Sequence, residues 1–188
     1  MLNKLNFHYL LAINISIFYV LLCFVDGRGG VSELQPLLLR FFDSGYLEND
    51  FFVNSSEELN IRYFLIRYLA FFSSLFGVEQ GLHIAGVISL IMTLFFIYLI
   101  SFVFTQNIFT SMIILFLAMI PRNAGLDLGD WYLINNQISA NQLVMPLILG
   151  GLYYVLLNKN MVALFLFSLL SFFHSMLGLE RMALFVFY

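Results

Sequence analysis

Charge is what this chain lacks most. Charged residues make up 10% of its 188 positions and hydrophobic ones 62%, for a mean hydropathy of +0.94. Gln80–Pro121 holds no Asp, Glu, Lys or Arg, and neither does Trp131–Asn158 or Asn160–Leu179. A hydrocarbon core about 30 Å thick takes roughly 20 apolar residues as a helix. A soluble domain of this length has no use for three such runs, so the pattern predicts an integral membrane protein. Cysteine is almost absent as well. Cys23 stands alone, which excludes an intrachain disulfide and leaves the redox compartment unread. The net charge of −3 argues against a nucleic-acid partner. No G-x-x-x-x-G-K, H-E-x-x-H, C-x-x-C or G-x-S-x-G is present, which removes the familiar soluble chemistries.

Lysine occurs only at Lys4 and Lys159, each in a short polar break. Basic residues in short loops mark the cytoplasmic side, so both lysines read as inside. After Lys4 the chain is uncharged from Leu5 to Val25. That run is longer than a signal peptide's apolar region of about 7–15 residues, and no small-x-small cleavage site follows it. Val20-Leu21-Leu22 are too bulky for lipoprotein cleavage before Cys23. The segment therefore predicts an uncleaved first span with its N-terminus in the cytoplasm. At the other end Met182–Tyr188 is apolar and has no polar tail. A membrane helix needs its end satisfied and flanked, so residues 1–188 read as one transmembrane domain at the front of a longer protein.

Acid is concentrated in one place. Asp26, Glu33, Asp43, Glu48, Asp50, Glu57 and Glu58 face only Arg28 and Arg40 between Val25 and Ile61. The topology puts this loop, residues 26–79, outside. Ser32-Glu33-Leu34-Gln35 has the form of a capping box with Pro36 tolerated in the first turn. Ser55-Ser56-Glu57-Glu58 is a second, its acids suited to the helix dipole. A helix is then expected over Ile61–Phe76, with Arg62, Arg67, Ser73 and Ser74 within an arc of about 140° and Phe64, Leu65, Tyr68, Leu69, Phe71, Phe72, Leu75 and Phe76 opposite. Such a helix lies in the membrane interface more readily than across it, where two arginines are costly. The alternative is a tilted span with its arginines turned to the bundle.

With that helix lying flat, further spans fall near Gln80–Phe104, Ile108–Ile120, Leu143–Leu157 and Val162–Leu177. The expected class is an all-α integral membrane protein with about five transmembrane helices plus external interfacial amphipathic helices. Ile108–Ile120 is short for a span and calls for borrowed flanking residues or a thinned bilayer.

Few residues carry candidate chemistry. Asp43 to Asp50 sets acids in a turn-rich segment after a short amphipathic helix. Carboxylates at a membrane surface can take a proton from a hydroxyl acceptor or hold a divalent metal; the plainer reading is a solvated acidic loop. Asp26 sits where the first span emerges, as a site acid or as a charge marking the membrane boundary. Asp127 and Asp130, beside Trp131, form a second acidic spot with ordinary interfacial-belt chemistry. His174 closes a span, as a cap or as a ligand, and Glu180 with Arg181 reads as a neutralising pair.

The segment from Phe41 to Val78, with its Asn49-Asp50 turn and its Asn60-Ile61-Arg62 helix start, resembles the first external loop of a group of bacterial multi-span proteins. The resemblance continues through Asn141–Pro146 to His174, Gly178 and Glu180, which match an H-P-x-x-G-x-E signature with Ser175 in place of proline. Those proteins look like the membrane glycosyltransferase superfamily known as GT-C, of which this chain would be the N-terminal half. The resemblance implies transfer of a sugar from a polyprenyl-phosphate donor at the external face of a bacterial inner membrane. It implies Asp50 as the acid for the acceptor or a metal, with Asp26 as its substitute. Arg62 or Arg67 would hold the donor phosphate. The competing readings are a transporter or flippase, with Asn14, His83 and His174 lining a path, and a non-catalytic membrane assembly subunit. A transporter wants its charges within the spans, and here they cluster outside.

Overall fold

In a computed structural model of the chain, residues 2–25, 34–50, 53, 62–119 and 139–187 are described. Among them the protein is all-helical, with eight helices and no strand. In chain order these are α1 (Leu2–Val25), α2 (Leu34–Phe42), α3 (Tyr63–Phe76), α4 (Val78–Thr105), α5 (Ile108–Met119), α6 (Ala140–Leu156), α7 (Asn160–Phe173) and α8 (Ser175–Phe187).

The hub is α4. Its 28 residues run about 42 Å at 1.5 Å per residue, and among the described residues it is the one helix long and apolar enough to cross a membrane. Helices α1, α3, α5 and α6 pack on it, α7 packs on α6, and α8 packs on α7. Cross-helix contacts fix the directions. The His8 ring of α1 stacks on Phe102 of α4 at 5.4 Å, so α1 starts where α4 ends. The Tyr19 hydroxyl donates to the carbonyl of Met119 at 2.6 Å, which puts the far parts of α1 and α5 together. Ser89 meets the start of α6 at the Gln142 carbonyl, 2.7 Å away, and Phe96 meets its last turns at Tyr153, 6.1 Å between centroids.

Two opposite ends result. One collects the beginning of α1, the α4–α5 turn and Lys159. There Gln106 takes a left-handed φ of 50°, and the Asn107 side chain caps α5 by accepting the Thr110 N–H at 3.2 Å. The other end collects α2, α3, the beginnings of α4 and α6, and the α7–α8 junction. Lys159 and the acidic segment thus lie at opposite ends.

At that second end a distinct core forms. Leu34, Leu37 and Leu38 of α2 pack with Leu65, Ile66, Leu69 and Ala70 of α3. Leu82 and Ala85 of α4, Ala140 and Leu143 of α6, and the edge of Phe173 complete it. Each such leucine, if otherwise exposed to water, contributes about 1.5–3 kcal/mol on burial. Gly77 makes the corner between α3 and α4 at φ 86°, a region that glycine enters without the penalty of a Cβ.

Three sequence expectations change here. First, α3 begins at Tyr63 and divides differently from the expected polar and apolar halves. Ser73 is buried with Ile66 and Ala70, while Phe64, Phe71 and Leu75 are exposed beside Arg67. The cause is small-residue packing: a Cβ on Gly81 would lie 2.6 Å from the Ser73 backbone, so only a glycine there lets α3 approach with its small-residue face. Second, the span expected over Val162–Leu177 breaks at His174, between α7 and α8. Third, about five spans are expected, whereas one described helix is long and apolar enough to cross a membrane; α5, α6 and α7, with 12, 17 and 14 residues, fall short of the roughly 20 that a full crossing takes. The first turn of α2 does contain Pro36. Ser32, Glu33 and the second capping box, Ser55–Glu58, lie outside the described residues.

Candidate functional site

The acidic segment after α2 is a built turn. Its hydrogen bonds come from residue types that favour local side-chain-to-backbone pairing. The Asp43 carboxylate accepts the Gly45 N–H at 2.9 Å. The Asp50 carboxylate accepts the Val53 N–H at 2.9 Å, and the Asp50 N–H donates to the Leu47 carbonyl at 2.9 Å. Arg40, in the last turn of α2, donates from its guanidinium to the carbonyls of Ser44 and Tyr46. The arginine and both aspartates therefore hold the turn together through its own backbone. Val53 is buried in the α2–α3 core at 2% exposure, so the Asp50 bond to its N–H ties the turn to that core. Its own side chain stays exposed and keeps room for an acceptor or an ion on its other oxygen.

The two α3 arginines separate. Five residues apart, they project about 140° from each other around the helix. Arg62 is half-buried and close enough to His174 to repel its charged form. Arg67 is exposed and stacks over the Tyr63 ring at 4.3 Å, with Phe41 5.7 Å away. The structure thus brings Arg62 together with His174, and places Arg67 on an aromatic seat facing outward.

His174 is a corner residue. Its N–H donates to the Leu170 carbonyl at 2.7 Å, closing α7, and its carbonyl accepts the Gly178 N–H at 3.0 Å, opening α8. Its Nδ1 accepts the Leu177 N–H at 3.5 Å, which requires that nitrogen to be unprotonated. Burial lowers the pKa of His174 below the ordinary 6.5, its backbone hydrogen bond raises it in part, and the Arg62 charge lowers it further. A neutral imidazole capping α8 is the consistent state. Gly178 belongs to the same corner, since a Cβ there would lie 2.4 Å from the Ser171 backbone. Its match to the signature glycine therefore has a packing reason. Glu180 is exposed and Arg181 half-buried, and no ion pair joins them, so the expected neutralising pair does not form. The Nε of Arg181 is buried without a hydrogen-bond partner among the described residues.

Two residues of the transporter reading are also placed. Asn14 is exposed and its amide donates to its own helix, to the Leu10 carbonyl at 2.7 Å, so it lines no interior path. His83 is half-buried near the start of α4. Asp26, Asp127, Asp130 and Trp131 lie outside the described residues. Among the described residues no three His, Cys, Asp or Glu side chains are grouped to hold a metal ion. Sequence reasoning passed over Arg40. Its signal was a basic residue one turn before an Asp-Ser-Gly, where free carbonyls need a donor.

No protein-family model, curated protein or solved structure matches this chain.

Proposed function

We propose that this chain is an integral membrane protein of GT-C type, transferring a sugar from a polyprenyl-phosphate donor at the external membrane face. The membrane placement is supported by the outer surface of the bundle. On α1, Phe7, Leu10, Ile17, Phe18 and Leu21 are all exposed and fall on one helical stripe. Asn14 lies within this stripe with its amide turned to the Leu10 carbonyl, and an exposed apolar surface of this extent marks contact with lipid or a partner rather than water. Lys4 and Lys159 then face the cytoplasm, and the end that carries the acidic turn faces out.

The observation that carries the transferase reading is the braced turn 43–50. It holds the exposed Asp50 carboxylate in an ordered position at the same end as Arg62 and His174. Asp50 would accept the proton of an acceptor hydroxyl or bind a divalent cation. Arg62, on the inward side of α3, is the arginine suited to the donor phosphate.

Asp50→Asn separates chemistry from structure. Its amide oxygen still accepts the Val53 N–H, so the turn and its stability are kept, but it takes up no proton and binds a cation weakly. In membranes that contain the full-length protein and a panel of polyprenyl-phosphate sugars, sugar transfer is expected to fall by about 10²–10⁴. Undiminished transfer by Asp50→Asn would remove Asp50 as the essential acid.

A further inference from the structure

We infer that the outer face of α3 is a phospholipid-binding surface, with Arg67 holding a headgroup phosphate and Phe71 and Leu75 lying against acyl chains. This rests on the membrane placement proposed above and is independent of the transferase reading.

Arg67 has a fixed seat and open donors. Its guanidinium lies 4.3 Å over the Tyr63 ring and 5.7 Å from that of Phe41. The aromatic seat holds the cation in place, and a guanidinium so held can offer its N–H donors to phosphate oxygens as a bidentate fork. No acceptor among the described residues takes those donors. No ion pair joins Arg67 to an acid among the described residues. The guanidinium is therefore open to an anion that no described residue supplies.

The helix beyond Arg67 selects the kind of anion. Phe71 and Leu75 come one and two turns later, displaced from Arg67 by roughly 40° and 80° on the same outer face. They are 62% and 61% exposed, and Phe64 and Tyr68 flank them. A bare inorganic anion has no use for such a strip, whereas a phosphate attached to acyl chains fits both parts. The level is right as well. Gly77 joins α3 directly to the first residue of α4, Val78, so α3 sits where the helix able to cross a bilayer begins. That level is the boundary between headgroups and chains.

The test uses the full chain, purified in a non-ionic detergent and titrated with phosphatidylglycerol, with bound lipid counted by native mass spectrometry. Wild-type protein is expected to fill one saturable site. Arg67→Gln weakens it about tenfold or more, as expected for loss of a charge-assisted contact. Arg67→Lys falls between, because it keeps the charge without the stacked plane. The double variant Phe71→Ser, Leu75→Ser also binds more weakly, and it changes exposed positions only, so it serves as a second probe with an intact fold. Inorganic phosphate at millimolar concentration does not compete. Unchanged lipid binding by Arg67→Gln overturns the inference, and so does competition by inorganic phosphate, which would mark a plain anion site. Alkaline carbonate extraction of wild-type membranes separates the two levels. Release of the chain refutes the membrane placement itself, while retention with unchanged Arg67→Gln binding refutes only the lipid site.

Discussion

At the scale of single residues, buried hydroxyls in this molecule find their acceptors on helix backbone. Ser16 and Ser101 donate to carbonyls four residues back, the usual resolution for a hydroxyl in an apolar helix. Ser89 is different, because it reaches across to α6 and meets the Gln142 carbonyl at 2.7 Å. That carbonyl would normally bond the N–H of residue 146, which is a proline and has none. Ser89 therefore satisfies an acceptor that Pro146 orphans. Ser89→Ala is expected to cost about 1–3 kcal/mol, the penalty for a buried unsatisfied carbonyl. In a Pro146→Ala background the new N–H takes over, and the same change costs clearly less. Unfolding of the four proteins in detergent gives the coupling from a double-mutant cycle. Equal costs in both backgrounds would refute the repair.

At the scale of elements, the joints decide the architecture, and the α7–α8 joint is expected to respond to pH. His174 caps α8 through an unprotonated Nδ1, and its folded pKa lies below 6.5 through burial and Arg62. The folded state thus binds fewer protons than the unfolded one around that value. The resulting stability is complete above pH 6.5 and is lost as pH falls through the folded pKa. His174→Asn keeps a capping oxygen but does not titrate. Between pH 7.5 and pH 5, wild-type protein should lose more thermal stability than His174→Asn, and equal losses would show that the corner does not depend on a neutral histidine. His174 was legible as the residue that closes a span, but the immediate start of α8 was not, because the uncharged run passes straight through the corner and only local hydrogen bonds and the tight Gly178 contact break it. The helix of α3 was legible from its periodicity, but its buried side was not. Hydropathy favours Phe71 and Leu75 for burial, whereas the small residues Ala70, Ser73 and Gly81 permit closer approach and prevail. The acidic turn was visible as acids in the sequence. Its bracing by Arg40 depends on where α2 stops, which composition does not fix.

At the scale of the whole molecule, two ends of unlike chemistry are separated by apolar helices. One has Lys159, the Thr105–Ile108 turn and the beginning of α1, and the other has the braced acidic turn, α2, α3 and the His174 corner. That polarity was readable from two lysines and one acidic loop, since charge in a nearly uncharged chain has few places to be. Span lengths were less readable, because hydropathy runs on through corners that the backbone turns. The central claim is that a bilayer lies between the two ends. It is tested by single cysteines at Ser44 and at Asn160, each in a Cys23→Ser background, labelled in sealed right-side-out membrane vesicles with an impermeant maleimide. The account predicts that Ser44→Cys reacts at once and that Asn160→Cys reacts only after the membrane is opened. Immediate reaction at both positions would contradict it.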